Sequence, residues 1–184
     1  MLGVGAKFPP YKLKATVSSD FDKAFRDVSH ESFDDVETGQ HKWMVYFFYP
    51  KDFTFVCPTE IAGFGKLNDQ FQDLNAQVVS VSHDSEFVHH AWRNSHPDLK
   101  DLPFPMLADT KHELSGALGI IDPTDGASQR AVFIVDPTQK IRFVYVTDLS
   151  VGRSPEEVLR VLKALQTNEL TPCNWNAGQP TLSK

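Results

Sequence analysis

The sequence predicts a single-domain α/β protein, a mixed sheet of largely buried strands with helices on both faces. Two uninterrupted apolar runs, residues 44–49 and 131–135, read as strands covered on both sides, and residues 77–82 read as another buried strand. Segments of helical period separate them. The 184 residues contain no internal repeat or linker, which is enough chain for one substantial core.

Taken in order, residues 12–17 alternate polar and apolar and are expected to form an edge strand, while residues 27–33 are polar enough to be surface. His30 and His41 are expected to be solvated. Pro50 ends the strand at 44–49, and a polar turn through Lys51 and Asp52 leads to Cys57-Pro58-Thr59-Glu60. Proline suits the first helical position, and the residue before it is disfavoured in the α region, so Pro58 is placed at N1 and Cys57 at the N-cap. The helix is expected to run on through residues 61–74 with Phe64, Leu67, Phe71 and Leu74 on its buried stripe. Gly63 and Gly65 weaken it by up to about 1 kcal/mol each.

Beyond the strand at 77–82, Asp84 is expected to cap a helix running to residue 94, with Trp92 turned to the core. His83, His89, His90 and His96 surround that helix. The adjacent pair His89 and His90 point about 100° apart, and no ligating cysteine lies near, so no metal centre is expected. A proline-punctuated loop (96–105), a short helix (Glu113–Leu118) and a turn region (120–129) follow. Ile141–Thr147 alternates and reads as an outer antiparallel strand. Ser154-Pro155-Glu156-Glu157 opens an amphipathic helix to Leu165. Residues 167–184 hold too few apolar side chains to be anchored firmly, which puts Cys173 on an arm.

Bulk properties narrow the function. A net charge of −6 and a pI near 5.6 leave no electrostatic footprint for nucleic acid. The N-terminal residues lack the apolar core of a signal peptide and no run approaches a membrane span, so a cytoplasmic protein is expected. In that compartment a permanent disulfide between Cys57 and Cys173 is not expected, whereas a transient catalytic one is allowed.

Cys57 is where the chemistry concentrates. A sulfur at a helix start faces unpaired N–H groups that favour an anion, and the thiolate is the reactive form of cysteine. The position three residues on, where a dithiol motif would carry its second thiol, is Glu60. Any disulfide must therefore use Cys173. Full ionisation gains only roughly 30-fold over a free thiol, about 2 kcal/mol, so a fast thiol reaction needs further groups that act on the leaving atom. The residues by themselves leave open a peroxide sensor or ring-forming holdase, and a structural protein with an inert cysteine.

Pro50-x-x-x-Thr54-x-x-Cys57-Pro58-Thr59-Glu60, with the stretches 87–92, 103–109, 129–135 and 173–175, resembles the peroxiredoxins, specifically the typical 2-Cys members of the alkyl hydroperoxide reductase C (AhpC) branch. The resemblance covers nearly the whole chain. It implies a thioredoxin-like fold, with a peroxidase domain at 1–166 and an arm at 167–184 carrying the resolving cysteine. It implies a thiol peroxidase needing no cofactor or metal. Cys57 would attack hydrogen peroxide or an organic hydroperoxide, Thr54 and Arg130 would bind and polarise it, and Pro50 would shield the pocket. Glu60 would orient Arg153. Cys173 of the partner subunit would resolve the sulfenic acid as a disulfide, and dimers would assemble into a ring, often a decamer. A thioredoxin-type, AhpD-type or AhpF-type (flavoprotein) reductant would restore the thiols. Three departures are visible: Thr171-Pro172-Cys173 stands where some relatives have a C-x-C pair, and both the Gly-Gly-Leu-Gly insertion and a Tyr-Phe helix after Cys173 are missing. The last two absences imply easy local unfolding and resistance to over-oxidation.

Overall fold

The computed structural model describes residues 1–34 and 39–182; the final two residues of the arm fall outside. Its strands are β1 (Leu13–Thr16), β2 (Phe25–Val28), β3 (Trp43–Phe48), β4 (Ala76–Ser82), β5 (Met106–Ala108), β6 (Arg130–Val135) and β7 (Ile141–Thr147). They form one seven-stranded sheet in the order β2-β1-β5-β4-β3-β6-β7. β3, β4 and β5 are parallel, whereas β1 and β6 join them antiparallel and β7 extends β6 antiparallel. The helices are α1 (Cys57–Lys66), α2 (Asn68–Asp73), α3 (Glu86–Ser95), α4 (Glu113–Leu118) and α5 (Pro155–Gln166).

Side-chain alternation along the central strands sorts the core into two layers. Val45, Phe47 and Tyr49 face the helices α1, α2 and α5, together with Ile61, Phe64, Phe71, Trp92, Val158 and Leu162. Met44, Tyr46 and Phe48 face the other side, where Leu114 and Leu118 of α4 and the N-terminal Phe8 cover them. Both β3 faces are therefore dry, which is why its sequence does not alternate. In β6, Val132 and Ile134 belong to the α1 layer. Arg130 has their parity and emerges on the same face.

Several expectations need correction. β1 is not an edge, because β2 lies outside it, with Lys14 opposite Asp27 and their charges 2.7 Å apart. Along β1 only Lys14 reaches solvent; Thr16, of the same parity, is fully buried and its hydroxyl donates to the Glu86 carbonyl. Of the stretch expected to be surface, Val28 and Phe33 are buried. The three-residue β5 lies hidden among prolines. The helix expected through residue 74 is broken at Leu67, whose backbone (φ −99°, ψ 1°) closes α1 and opens α2. Ser85, not Asp84, caps α3, accepting from the Val88 N–H. Ser154 caps α5 as expected, with Pro155 in its first turn. The arm is held better than its composition suggests. Trp175 is 4% exposed, its indole N–H donates to the Gln179 carbonyl, and its own carbonyl accepts from Arg160. Among the described residues no helix is long and apolar enough to cross a membrane.

Candidate active site

The end of β3 and the start of α1 build the site through one tight connection. Its first anchor is Asp52, fully enclosed, whose Oδ1 accepts from the Tyr49 hydroxyl and whose Oδ2 pairs with His89 Nδ1, both at 2.7 Å. His89 turns its other nitrogen to the Leu107 carbonyl at 3.2 Å. Burial, and then the Asp52 charge, push the Tyr49 phenol well above its ordinary range, so it stays a donor. The Asp52 N–H donates to Asp84, which also accepts from Ser82. In sequence Asp52 is only a polar turn residue, and nothing local ties it to a histidine on α3. We expect Asp52→Asn to cost about 1–3 kcal/mol, because a charge-assisted acceptor inside the core becomes a neutral amide. The loss in urea midpoint should be strongly non-additive with His89→Ala in a double-mutant cycle; additive losses would mean that the pair acts as separate residues.

The connection then passes Phe53 in the left-handed region (φ 55°) and Thr54, whose hydroxyl donates to the Lys51 carbonyl at 2.9 Å. Cys57 is the first helical residue and Val56 the N-cap, so the expected assignment is shifted by one, with Pro58 at N2. The cause is local. The Thr59 and Glu60 N–H groups and the Thr59 hydroxyl all converge on the Val56 carbonyl, drawing Val56 and Cys57 into the turn despite the proline that follows.

Around the sulfur the charges are fixed. Arg130 Nη1 reaches Cys57 Sγ at 3.4 Å and Glu60 Oε2 at 2.8 Å, and its Nε donates to the Leu149 carbonyl at 2.6 Å. Arg153 grips Glu60 through Nε at 2.7 Å, Nη2 at 2.9 Å and its backbone N–H at 2.8 Å, while Nη1 holds the Phe48 carbonyl. Cys57, Glu60, Arg130 and Arg153 are all buried. Burial works against the Glu60 charge, but the hydrogen bonds and charge of Arg153, followed by the charge of Arg130, outweigh it and hold the carboxyl below its ordinary value. One carboxylate between two guanidiniums leaves a net positive centre beside the thiol.

Of the seven residues singled out in sequence, the structure gathers these four. Thr54 stands in the connection three residues before the sulfur, and Pro50 begins it, lining a cleft with Lys51, His83, Asp84 and His112. Cys173 is exposed and lies apart, in a cleft formed with Arg142, Arg160 and Thr171. Trp92 packs near Tyr49 and Phe53, with ring centroids 6.1 and 5.9 Å away. The histidines have separate tasks: His83 meets the hydroxyls of Ser115 and Ser128, and His90 the Ser19 carbonyl. Among the described residues no three His, Cys, Asp or Glu side chains converge as metal ligands.

Comparison with known proteins gives the family. Residues 4–144 match the AhpC/TSA family. Alkyl hydroperoxide reductase C of Mycobacterium tuberculosis is 53% identical over 184 residues, covering 99% of this chain and 94% of that protein. The solved structure of Mycobacterium tuberculosis AhpC superposes with a TM-score of 0.84 at 49% identity, over 96% of this chain and 99% of that one. A reduced 2-Cys peroxiredoxin of Plasmodium vivax gives a TM-score of 0.87 at 29% identity, over 98% of this chain and 92% of that one. The sheet is accordingly thioredoxin-like, and the chain belongs to the AhpC branch of the peroxiredoxins, enzymes of the AhpC/TSA family.

Proposed function

We propose that the chain reduces hydrogen peroxide and organic hydroperoxides in two thiol steps. The Cys57 thiolate attacks the terminal oxygen of the peroxide, the O–O bond breaks, and the departing oxygen takes a proton to leave as water or an alcohol. Cys57 is then a sulfenic acid. The thiol of Cys173 attacks that sulfur, forming the disulfide and releasing water. The observation that carries this reading is Arg130, whose guanidinium touches the sulfur while Glu60 and the Leu149 carbonyl hold it in place. A planar cation at that point serves both the thiolate and the charge that develops on the peroxide oxygens. The Thr54 hydroxyl, already donating to Lys51, has lone pairs to offer the peroxide, and Pro50, where the connection begins, shields the pocket with no N–H to misplace.

Geometry favours Cys173 of the partner subunit. Cys57 sits at the end of the sheet where Arg130 pairs with Thr147, and Gly63 of its helix lies against Pro155 at the start of α5. The cleft holding Cys173 lies at the opposite ends of both elements, beside Arg142 of β7 and Leu165 of α5. The 12 residues of α5 span roughly 18 Å, far beyond the about 5.5 Å between Cα atoms in a disulfide. β7 is an edge strand. Two such edges paired antiparallel about a two-fold axis would bring the Arg142 end of one chain beside the Thr147 end of the other, and so Cys173 toward the partner's Cys57. The reading includes a cytoplasmic setting, a ring of such dimers, and re-reduction by a thioredoxin-type, AhpD-type or flavoprotein donor.

The test is non-reducing electrophoresis after one equivalent of peroxide. Wild type should run as a covalent dimer, and Cys57→Ser and Cys173→Ser as monomers. A covalent dimer persisting in either variant, or a disulfide within one chain, would overturn the assignment.

A further inference from the structure

Arg93 is among the largest side chains enclosed in the core, and of the described carboxylates only Asp101 acts on its charge, from beyond ion-pairing distance. Among the described residues no carboxylate lies within ion-pairing distance, and its Nε has no hydrogen-bond partner. Its partners are carbonyls: Nη2 donates to Leu102 at 2.7 Å, and Nη1 to Phe104 at 3.4 Å and Thr16 at 3.5 Å. Burial pulls its pKa down to about 10, so it remains charged at neutral pH. A buried unpaired guanidinium is expensive, and core packing alone would be served better by an apolar side chain of similar volume.

What the guanidinium holds explains its presence. Residues 96–105 form no regular element apart from turns, whose own backbone hydrogen bonds are few: Leu99 N–H to His96 at 3.1 Å and Leu102 N–H to Leu99 at 3.4 Å. This segment is the wall under α1. A Cβ on Gly65 would stand 3.4 Å from Leu102 Cδ2 and 3.9 Å from Pro103 Cδ, so α1 at Gly65 lies directly on it. Phe104 meets Phe47 edge-on at 5.7 Å, and Phe47 stacks on Phe64 of α1 at 4.3 Å. The two carbonyls of this segment that Arg93 pins are those of Leu102 and Phe104.

We propose that Arg93 is a positioning residue that sets how firmly α1 is seated, and thereby how the Cys57 sulfenic acid divides between two fates. This rests on the peroxidase reading above. While α1 is seated, Cys57 is fully enclosed and a second peroxide oxidises its sulfenic acid to sulfinic acid, the peroxide leaving as water or alcohol. When α1 unwinds, the sulfenic acid reaches Cys173 and the disulfide forms with loss of water. Arg93 touches neither reactant. It acts by keeping the wall in shape, which favours the seated form.

The experiment compares wild type with Arg93→Met and Arg93→Lys as full-length chains. Stopped-flow fluorescence follows Cys57 oxidation and disulfide formation separately, and mass spectrometry measures the sulfinic fraction against peroxide concentration. In Arg93→Met, disulfide formation should accelerate and the peroxide needed for half-sulfinic Cys57 should rise, each by about three- to tenfold, as expected if part of the loss of charge-assisted hydrogen bonds reaches α1. The first oxidation should change by less than about twofold. Arg93→Lys, with one point donor in place of a fork, should fall between the two. A lower melting temperature with both ratios unchanged in Met and Lys variants alike would reduce Arg93 to a structural residue. Should Arg93→Met not fold, Arg93→Lys with wild-type ratios has the same force. Wild type forming neither disulfide nor sulfinic acid would instead refute the peroxidase reading itself.

Discussion

Replacing Arg130 with methionine should slow oxidation of Cys57 by peroxide roughly 100- to 1000-fold, the loss expected when one fixed donor is removed from a developing anion. The side chain has three tasks in one plane: Nε on the Leu149 carbonyl, and Nη1 shared between Cys57 Sγ and Glu60. Methionine fills the volume and performs none of them. Arg130→Lys should recover only part of the rate, because one ammonium cannot span the carbonyl, the carboxylate and the sulfur together. Comparing the variants at a pH where the thiol is fully ionised in each separates two contributions. Whatever deficit remains there belongs to O–O cleavage, and whatever disappears belonged to forming the thiolate. Stopped-flow fluorescence from Trp92, which packs beside the Tyr49 and Phe53 rings at the turn, offers a direct readout. A loss below tenfold both at neutral pH and at that higher pH would remove Arg130 from the chemistry.

The sheet's centre was legible because its physics is local. β3 and β6 are dry on both faces and carry unbroken apolar runs, and Ser154-Pro155 marks the start of α5 by capping rules alone. The shortest strands were less so. β2 (FRDV), at the edge, and β5 (MLA), between β1 and β4, are too short to show a period, and they exist because their neighbours offer them partners. At Cys57 a real local preference, the aversion of a pre-proline residue to the α region, lost to three donors gathering on one carbonyl.

The site divides along the same line. Cys57 and Glu60 lie together in sequence, and the positions of Arg130 and Arg153 were suggested by family resemblance. Once β6 is recognised, its parity also aims Arg130 at α1. The Tyr49–Asp52–His89 anchor and the Arg93 clamp were invisible, since each depends on buried polar atoms that meet only in the fold, Asp52 with His89 and Arg93 with the Thr16 and Leu102 carbonyls. A turn aspartate and a helix histidine look the same whether solvated or enclosed. Only the fold decides that Asp52 meets His89 and that, among the described residues, Arg93 has no carboxylate at ion-pairing distance.

Glu60 carries the second large expectation. Among the described residues it is the one carboxylate between the two enclosed guanidiniums, so Glu60→Gln should cost about 3–5 kcal/mol, chiefly because Arg130 and Arg153 lose their buried carboxylate. The loss should depend on pH with a definite sign. The folded carboxyl titrates below its ordinary value of 4.5, so its stabilisation is complete above that value and disappears as pH falls through the folded one. The difference in unfolding free energy between wild type and Glu60→Gln should therefore be full at neutral pH and shrink progressively in acid. A difference that stayed constant down to about pH 3 would place the damage in packing rather than charge. Peroxide reactivity should fall in the same variant although Glu60 touches no substrate, because Arg130 loses the partner that aims it at Cys57. Adding Arg153→Met to Glu60→Gln should restore part of the stability, by removing one stranded cation, without restoring the rate. That split would assign Arg153 to holding the carboxylate and Arg130 to the sulfur. If stability and rate recovered together, both arginines would be serving the same function.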